Sequence, residues 1–423
     1  MVSLSTSQRL LLAAAFVVHV ALVWSVASQS LDRGVPPTTP RFWTARLSFD
    51  GVTWPGPGAD FFALYHSGLQ SRAGKSPYDL TESPRVTPYF FRYIYSPLTA
   101  ATLGRAVTLL PPRAAYWLWL VVVESCLAAW LVAVWRQRIS ARILVLITVV
   151  LLVNQPYLLE LHMGQFTFVA VALAMLAAVG TGWNADGQRG RARGALLVAM
   201  AIVLKSFPAV VLPAFLRRRQ VWVLAGGLVG LLWVTTPSLL GGGPAGHFTL
   251  SLVDSMGGPH PDALSLTQAL CLVVFTRGPW LPSVIPQLPA AIVGLTVAAM
   301  AVLVVRGRRD EPAGAALLLL SFFLSFLHTW EHHYSGAILA SSALLVSMAR
   351  TATIQSQPPT TAIAVALVLL ALPTPFALLP GDFARWTLGE WLLMSCSKAV
   401  PLAVIVFIGG KWLSQTSSRP LSP

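Results

Sequence analysis

The chain has 423 residues, of which 55% are hydrophobic and only 10% charged. A soluble domain carries about 25% charged residues, so the composition excludes an ordinary soluble globular protein. The net charge is +14, from 29 Lys+Arg against 15 Asp+Glu. In so apolar a chain this excess points to the short cytoplasmic loops of a membrane protein rather than to nucleic acid.

Residues 8–28 form the first apolar run and predict a membrane helix. The small residues Val26-Ala27-Ser28 offer a rival reading as a cleaved signal peptide, but the run is long for one and many spans follow. Residues 29–94 are mostly polar, rich in Pro, Gly and aromatics. They are too long for a plain connection and predict an extracytoplasmic loop with structure or function of its own. Apolar runs then cover about 95–110, 114–135, 143–154, 165–181, 194–204, 207–216, 221–236, 264–276, 283–305, 313–327, 334–349, 361–379 and 391–410. A free-standing span needs about 20 residues, so the shorter runs predict thin spans, half-helices or re-entrant segments buried in protein.

The arginines set the orientation. Tight clusters stand at Arg136/Arg138/Arg142, Arg189/Arg191/Arg193, Arg217/Arg218/Arg219 and Arg306/Arg308/Arg309, with Arg350 alone. With all of them cytoplasmic, 264–276 becomes a non-spanning outer helix within a second outer loop at about 237–282, and 95–110 an incomplete span. The expectation is a single all-α polytopic membrane domain over 1–423, with about 12 transmembrane helices, short re-entrant and outer helices, and both termini cytoplasmic.

This topology collects the polar residues on one face. Asp60, Tyr65, Tyr93 and Tyr95 come from the first loop, followed by Asn154, Gln155, Glu160, His162 and Gln165. Lys205, His247, Asp254, His260, Asp262, Gln268, His328, Glu331, His332 and His333 complete the set; with His66 of the first loop, seven of the eight histidines fall there. A transporter would place its polar groups near the midplane, often in two similar halves; no such repeat is visible. The one-sided collection suggests an enzyme at the outer membrane surface.

Each feature also has a structural reading. Lys205 sits at the apex of a short hairpin, where it either snorkels or serves a site. Asp60 would serve as a helix cap, and Asn154 would end one helix and start the next. Trp330 would be an interfacial anchor or a flat platform for a sugar. His332-His333 is poor metal spacing, because adjacent helical residues point about 100° apart; no metal and no cofactor are expected. The three cysteines, Cys126, Cys271 and Cys396, show no ligand spacing or disulfide framework.

Taken in chain order, these pieces resemble the integral-membrane glycosyltransferases of family 87. The matching elements are Asp60-Phe61-x-x-x-Tyr65 with Gly74 and Pro77-Tyr78, Tyr93-x-Tyr95-x-Pro97, and Pro111 with Trp117-x-Trp119. Asn154-x-Pro156, Gly164-Gln165, Lys205-x-x-Pro208 and Thr329-Trp330-x-His332-His333 follow. The resemblance implies a GT-C-type fold in a bacterial plasma membrane. It also implies inverting transfer of a hexose, with mannose expected, from a polyprenyl-phosphate sugar to a lipid or glycan acceptor. Asp60 then matches the family's general base. Tyr65, Tyr95, Asn154, Gln165, Lys205, Gln268, Trp330, His332 and His333 are the expected substrate-binding residues, with Lys205 and the two histidines near the donor phosphate. Tyr95-Ser96-Pro97 stands where the family often has Tyr-Pro-Pro, and Leu264-Ser265-Leu266-Thr267-Gln268 where it often has Asn-x-Ser. The alternatives are a lipid-linked sugar transporter or flippase and a non-enzymatic envelope-assembly protein.

Overall fold

The computed structural model describes residues 3–29, 47, 57–78, 93–183, 187–216, 220–239, 260–275, 287–307, 310–351 and 360–415. Both expected outer loops are therefore described only in part, and His247 and Asp254 lie outside the described residues. The described residues form helices and no strand. The principal helices are α1 (Thr6–Ala27), α2 (Ala59–Arg72), α3 (Pro112–Trp135), α4 (Ala141–Leu152), α5 (Gln155–Met163), α6 (Thr167–Gly182) and α7 (Gly187–Leu204). They continue with α8 (Val221–Leu239), α9 (Leu266–Phe275), α10 (Leu288–Arg306), α11 (Glu311–Ser325), α12 (Tyr334–Thr351), α13 (Thr360–Ala371) and α14 (Leu388–Gln415).

Five stretches among the described residues are long and apolar enough to cross a membrane: Thr6–Ala27, Pro112–Trp135, Ala141–Met163, Leu288–Arg306 and Leu388–Gln415. Five shorter apolar helices accompany them. The run 95–110 forms one short helix, Pro97–Val107, with a π-helical stretch at Ala100–Gly104 between two α-helical turns. The limb Phe207–Leu216 is also short, a 3-10 turn followed by one α-helical turn. At about 2 Å per residue it spans well under the roughly 30 Å of a bilayer core.

Local chemistry explains the helix boundaries. Ser5 opens α1 with a capping box to Gln8. Proline occupies the first turn of α3, α5, α10 and α11, where its missing N–H costs nothing. Asp310 caps α11 by accepting from the Ala313 N–H at 3.0 Å. Gly164, at φ +66°, ends α5 in the left-handed conformation that favours glycine.

Packing separates a protein core from a lipid-facing belt. α6, α11 and α12 are buried on nearly every side, and α12 is lined with Ser335, Gly336, Ala337, Ala340, Ser341, Ser342 and Ala343. Such small residues let helices approach closely where lipid supplies no hydrophobic drive. By contrast α1 buries only Ala15, His19 and Val26, and exposes Phe16, Val17 and Trp24. One very close backbone approach is α2 against the π-helical stretch. A Cβ on Gly68 would lie 2.2 Å from the Gly104 carbonyl oxygen.

Candidate active site

The helix ends sort into two groups. At one end of the bundle Trp183 Nε1 donates to Ser347 Oγ at 3.3 Å, Ser347 Oγ donates to Asp310 at 3.0 Å, and the Arg350 guanidinium lies 5.5 Å from the Trp183 ring. These are the ends of α6 and α12 and the start of α11. At the other end the start of α6, the residue after α7 and the start of α12 converge. Lys205, Thr167, Glu160 and His333 meet there.

Lys205 is the hub. Its Nζ donates to Thr167 Oγ1 at 2.8 Å, lies 3.3 Å from His333 Nε2, and stands 6.0 Å from the centre of the Tyr95 ring. Burial lowers its ammonium below the ordinary lysine value, against the opposing charges of Glu160 and Asp60. The Lys205–Glu160 interaction is thus one of charge through space. Glu160 itself is fully buried, and its two oxygens accept from the Phe168 N–H at 2.7 Å and from Ser335 Oγ at 3.1 Å. Its charge also acts on His332.

His332 and His333 lie on the 3-10 turn Glu331–His333 that opens α12, with ring centres 4.3 Å apart. The Trp330 backbone N–H donates to His333 Nδ1 at 3.1 Å. Burial holds the His333 imidazole well below the ordinary histidine value, helped by His332 and Lys205. Trp330 is near-parallel to His333 (6.0 Å, 13°) and to His260 (6.2 Å, 27°). Gln268, in the first turn of α9, reaches the His260 carbonyl only with a long 3.5 Å contact. The strands of chain that carry these groups are tied together. The Leu264 N–H donates to the Thr329 carbonyl at 2.9 Å, and Tyr334 Oη to the Leu264 carbonyl at 2.7 Å.

Asp60 comes from the first turn of α2 and is buried. Its helix is docked by the Gly58 N–H, which donates to the His162 carbonyl at 2.6 Å, next to Gly164. A Cβ on Gly164 would fall 2.6 Å from Phe61 Cβ and 3.3 Å from Gly58 Cα. Asp60 is near enough that its charge acts on both Tyr95 and Lys205. Tyr95 meets Phe166 edge to face at 5.3 Å, and its hydroxyl makes a long 3.5 Å contact to Gln165 Oε1. Gln165 Oε1 also accepts from the Phe166 N–H at 3.2 Å.

The structure therefore brings Asp60, Tyr95, Gln165, Lys205, Trp330, His332 and His333 into one region, with Gln268 behind the Trp330–His260 pair. It gives two expected residues other work. Asn154 Oδ1 accepts from the Tyr157 N–H at 2.8 Å, and its Nδ2 donates to the Val150 and Leu151 carbonyls at 3.1 and 2.9 Å. Tyr65 Oη donates to the Leu110 carbonyl at 2.8 Å, which anchors α2. The residues that sequence reasoning left out of the site are Glu160, Thr167 and Ser335. Glu160 had a signal, as the single acid within an apolar helix. Thr167 and Ser335 had none, because hydroxyls are common in such helices.

Residues 93–329 match glycosyltransferase family 87. The chain belongs to that family. The matched region covers more than half of the chain and includes Tyr95, Glu160, Gln165, Lys205 and Gln268. Asp60, Trp330, His332 and His333 lie outside it. No curated protein and no solved structure matches the chain. This family 87 protein is thus a multi-pass helical membrane glycosyltransferase.

Proposed function

We propose that this enzyme transfers a hexose, with mannose as the expected sugar, from a polyprenyl-phosphate carrier to a lipid or glycan acceptor with inversion. One observation carries the reading. The Lys205 amine stands 3.3 Å from His333 Nε2 and 2.8 Å from Thr167 Oγ1. An oxyanion accepting from the lysine and from His333 would be held there, and a departing sugar phosphate supplies one.

In the reaction the acceptor hydroxyl oxygen attacks the anomeric carbon and its proton passes to Asp60. The bond from that carbon to the phosphate oxygen breaks with its electron pair, and the polyprenyl phosphate leaves with the added charge held by Lys205 and His333. Tyr95, Gln165, Gln268 and Trp330 line the space for the sugar. Glu160 and Thr167 fix the Lys205 amine, and Tyr65 and Asn154 contribute through the helices they anchor. The donor's lipid chain accounts for catalysis inside a membrane protein. The enzyme is read as a GT-C-type fold of about 12 crossings in a bacterial plasma membrane, its termini cytoplasmic and its site extracytoplasmic. Incubating membranes with radiolabelled polyprenyl-phosphate-mannose, followed by lipid extraction, tests the reading. Label moving to a second lipid or glycan supports it. Label that stays on the carrier in membranes containing folded enzyme, while another sugar carrier is consumed, contradicts the choice of sugar.

A further inference from the structure

The stretch Ala141–Met163 is apolar enough to cross a membrane, yet it breaks at Val153-Asn154 into α4 and α5. A break between two apolar helices leaves backbone carbonyls that must find partners. Asn154 takes those of Val150 and Leu151. The Leu152 carbonyl is taken by another helix: His19 Nδ1 of α1 donates to it at 2.8 Å.

That bond puts a proton on His19 Nδ1, and a second proton bridges His19 Nε2 and Glu124 Oε2 of α3, 2.9 Å apart. The other Glu124 oxygen accepts from Tyr157 Oη of α5 at 2.8 Å, and the His19 ring lies over Tyr157 at 5.9 Å and 29°. Leu152 carbonyl, His19, Glu124 and Tyr157 thus form one closed chain through α1, α3, α4 and α5. His19 is one of only three buried residues of α1. An imidazole and a carboxylate within apolar helices are costly, and both are fully used here. Tyr157 stands three residues before Glu160, so the clamp holds the same short helix that presents Glu160 to Lys205 and His332.

We propose that His19 and Glu124 are positioning residues: they fix α5, through Tyr157, and so set the place of Glu160 in the transfer site. The inference rests on the transferase reading for its effect on the donor. Tyr157→Phe removes one hydroxyl and keeps the ring. In the full-length enzyme it is expected to raise the KM for polyprenyl-phosphate-mannose about tenfold, with kcat lowered less. Glu160→Gln is expected to do the same. The double variant should also show about tenfold rather than about hundredfold, because both changes act through one group. Glu124→Gln offers an acceptor to Tyr157 and a donor to His19, so it should restore near-normal kinetics where Glu124→Leu does not.

Hydrogen exchange supplies a readout that needs no donor. Amides in α5 should exchange at least severalfold faster in Tyr157→Phe, while those of α11 and α12 stay as in the wild type. A normal donor KM in Tyr157→Phe, multiplicative effects in the double variant, or unchanged α5 exchange would each overturn the clamp. A wild-type enzyme that ignores this donor would contradict the functional reading instead, and α5 exchange would then decide the clamp alone.

Discussion

At the scale of single residues, the groups that drew notice in the sequence were ionisable side chains in apolar surroundings. Asp60, Lys205, His332 and His333 stand out because such placements are costly without a partner or a role. Their neighbours are harder to read. The hydroxyl of Tyr65 finds a carbonyl 45 residues away, a tertiary contact with no trace in local sequence. The amide of Asn154 serves the helix break on both sides, the capping alternative for that residue. Glu160 was read only as one of the polar residues on the outer face, because its hydrogen-bond partners come from α6 and α12.

The buried histidines set a pH dependence of stability. His328 is pushed down to about 4 by burial and then by the His260 charge, and His333 is lowered as well. Below about 6.5 the unfolded chain binds protons that the folded chain refuses, so folding stability falls as the pH drops from there toward about 4. The slope is about 1.4 kcal/mol per pH unit for each such histidine. Thermal melts across this window should show His328→Gln losing less stability on acidification than the wild type. Parallel curves for the two proteins would contradict the assignment.

At the scale of elements, the run at 95–110 was expected to be an incomplete span from the arginine bias, and its described helix covers only Pro97–Val107, about 16 Å. The limb at 207–216 was expected to return across the membrane with 194–204, yet it holds only a 3-10 turn and one α-helical turn. Apolarity marks where a segment lies and says little about how far it reaches. Glycine contacts were not legible at all, because they depend on which helix arrives opposite. Gly164→Ala is a direct test of the docking between α2 and α5. The left-handed backbone alone costs about 1–2 kcal/mol, and the new methyl would press on Phe61 beside Asp60. We expect a lowered melting temperature and a turnover reduced more than that of a distant variant of equal stability. A variant with unchanged melting and turnover would show that this contact does not set Asp60's position.

At the scale of the molecule, charge bias along the chain gave the expectation that the polar residues group away from the arginines. The structure separates the Lys205–Thr167–His333 end from the Trp183–Ser347–Arg350 end. The account assigns the first end to the outside. With the three native cysteines replaced, a single cysteine at the exposed position Ala73 should label with an impermeant thiol reagent in intact cells. One at the exposed Arg138 should label only after permeabilisation. The opposite pattern would invert the orientation.

The central claim is a division of labour between Lys205, which holds the donor phosphate, and Asp60, which takes the acceptor's proton. Equilibrium binding of polyprenyl-phosphate-mannose to purified wild-type, Lys205→Met and Asp60→Asn enzymes, paired with turnover of each, tests it most directly. The account predicts that Lys205→Met weakens binding about 10- to 100-fold, the loss of a charge-assisted contact. Asp60→Asn should bind the donor as the wild type does and turn over at least about 100-fold more slowly. Normal donor binding by a folded Lys205→Met enzyme, or near-normal turnover by a folded Asp60→Asn enzyme, would contradict it.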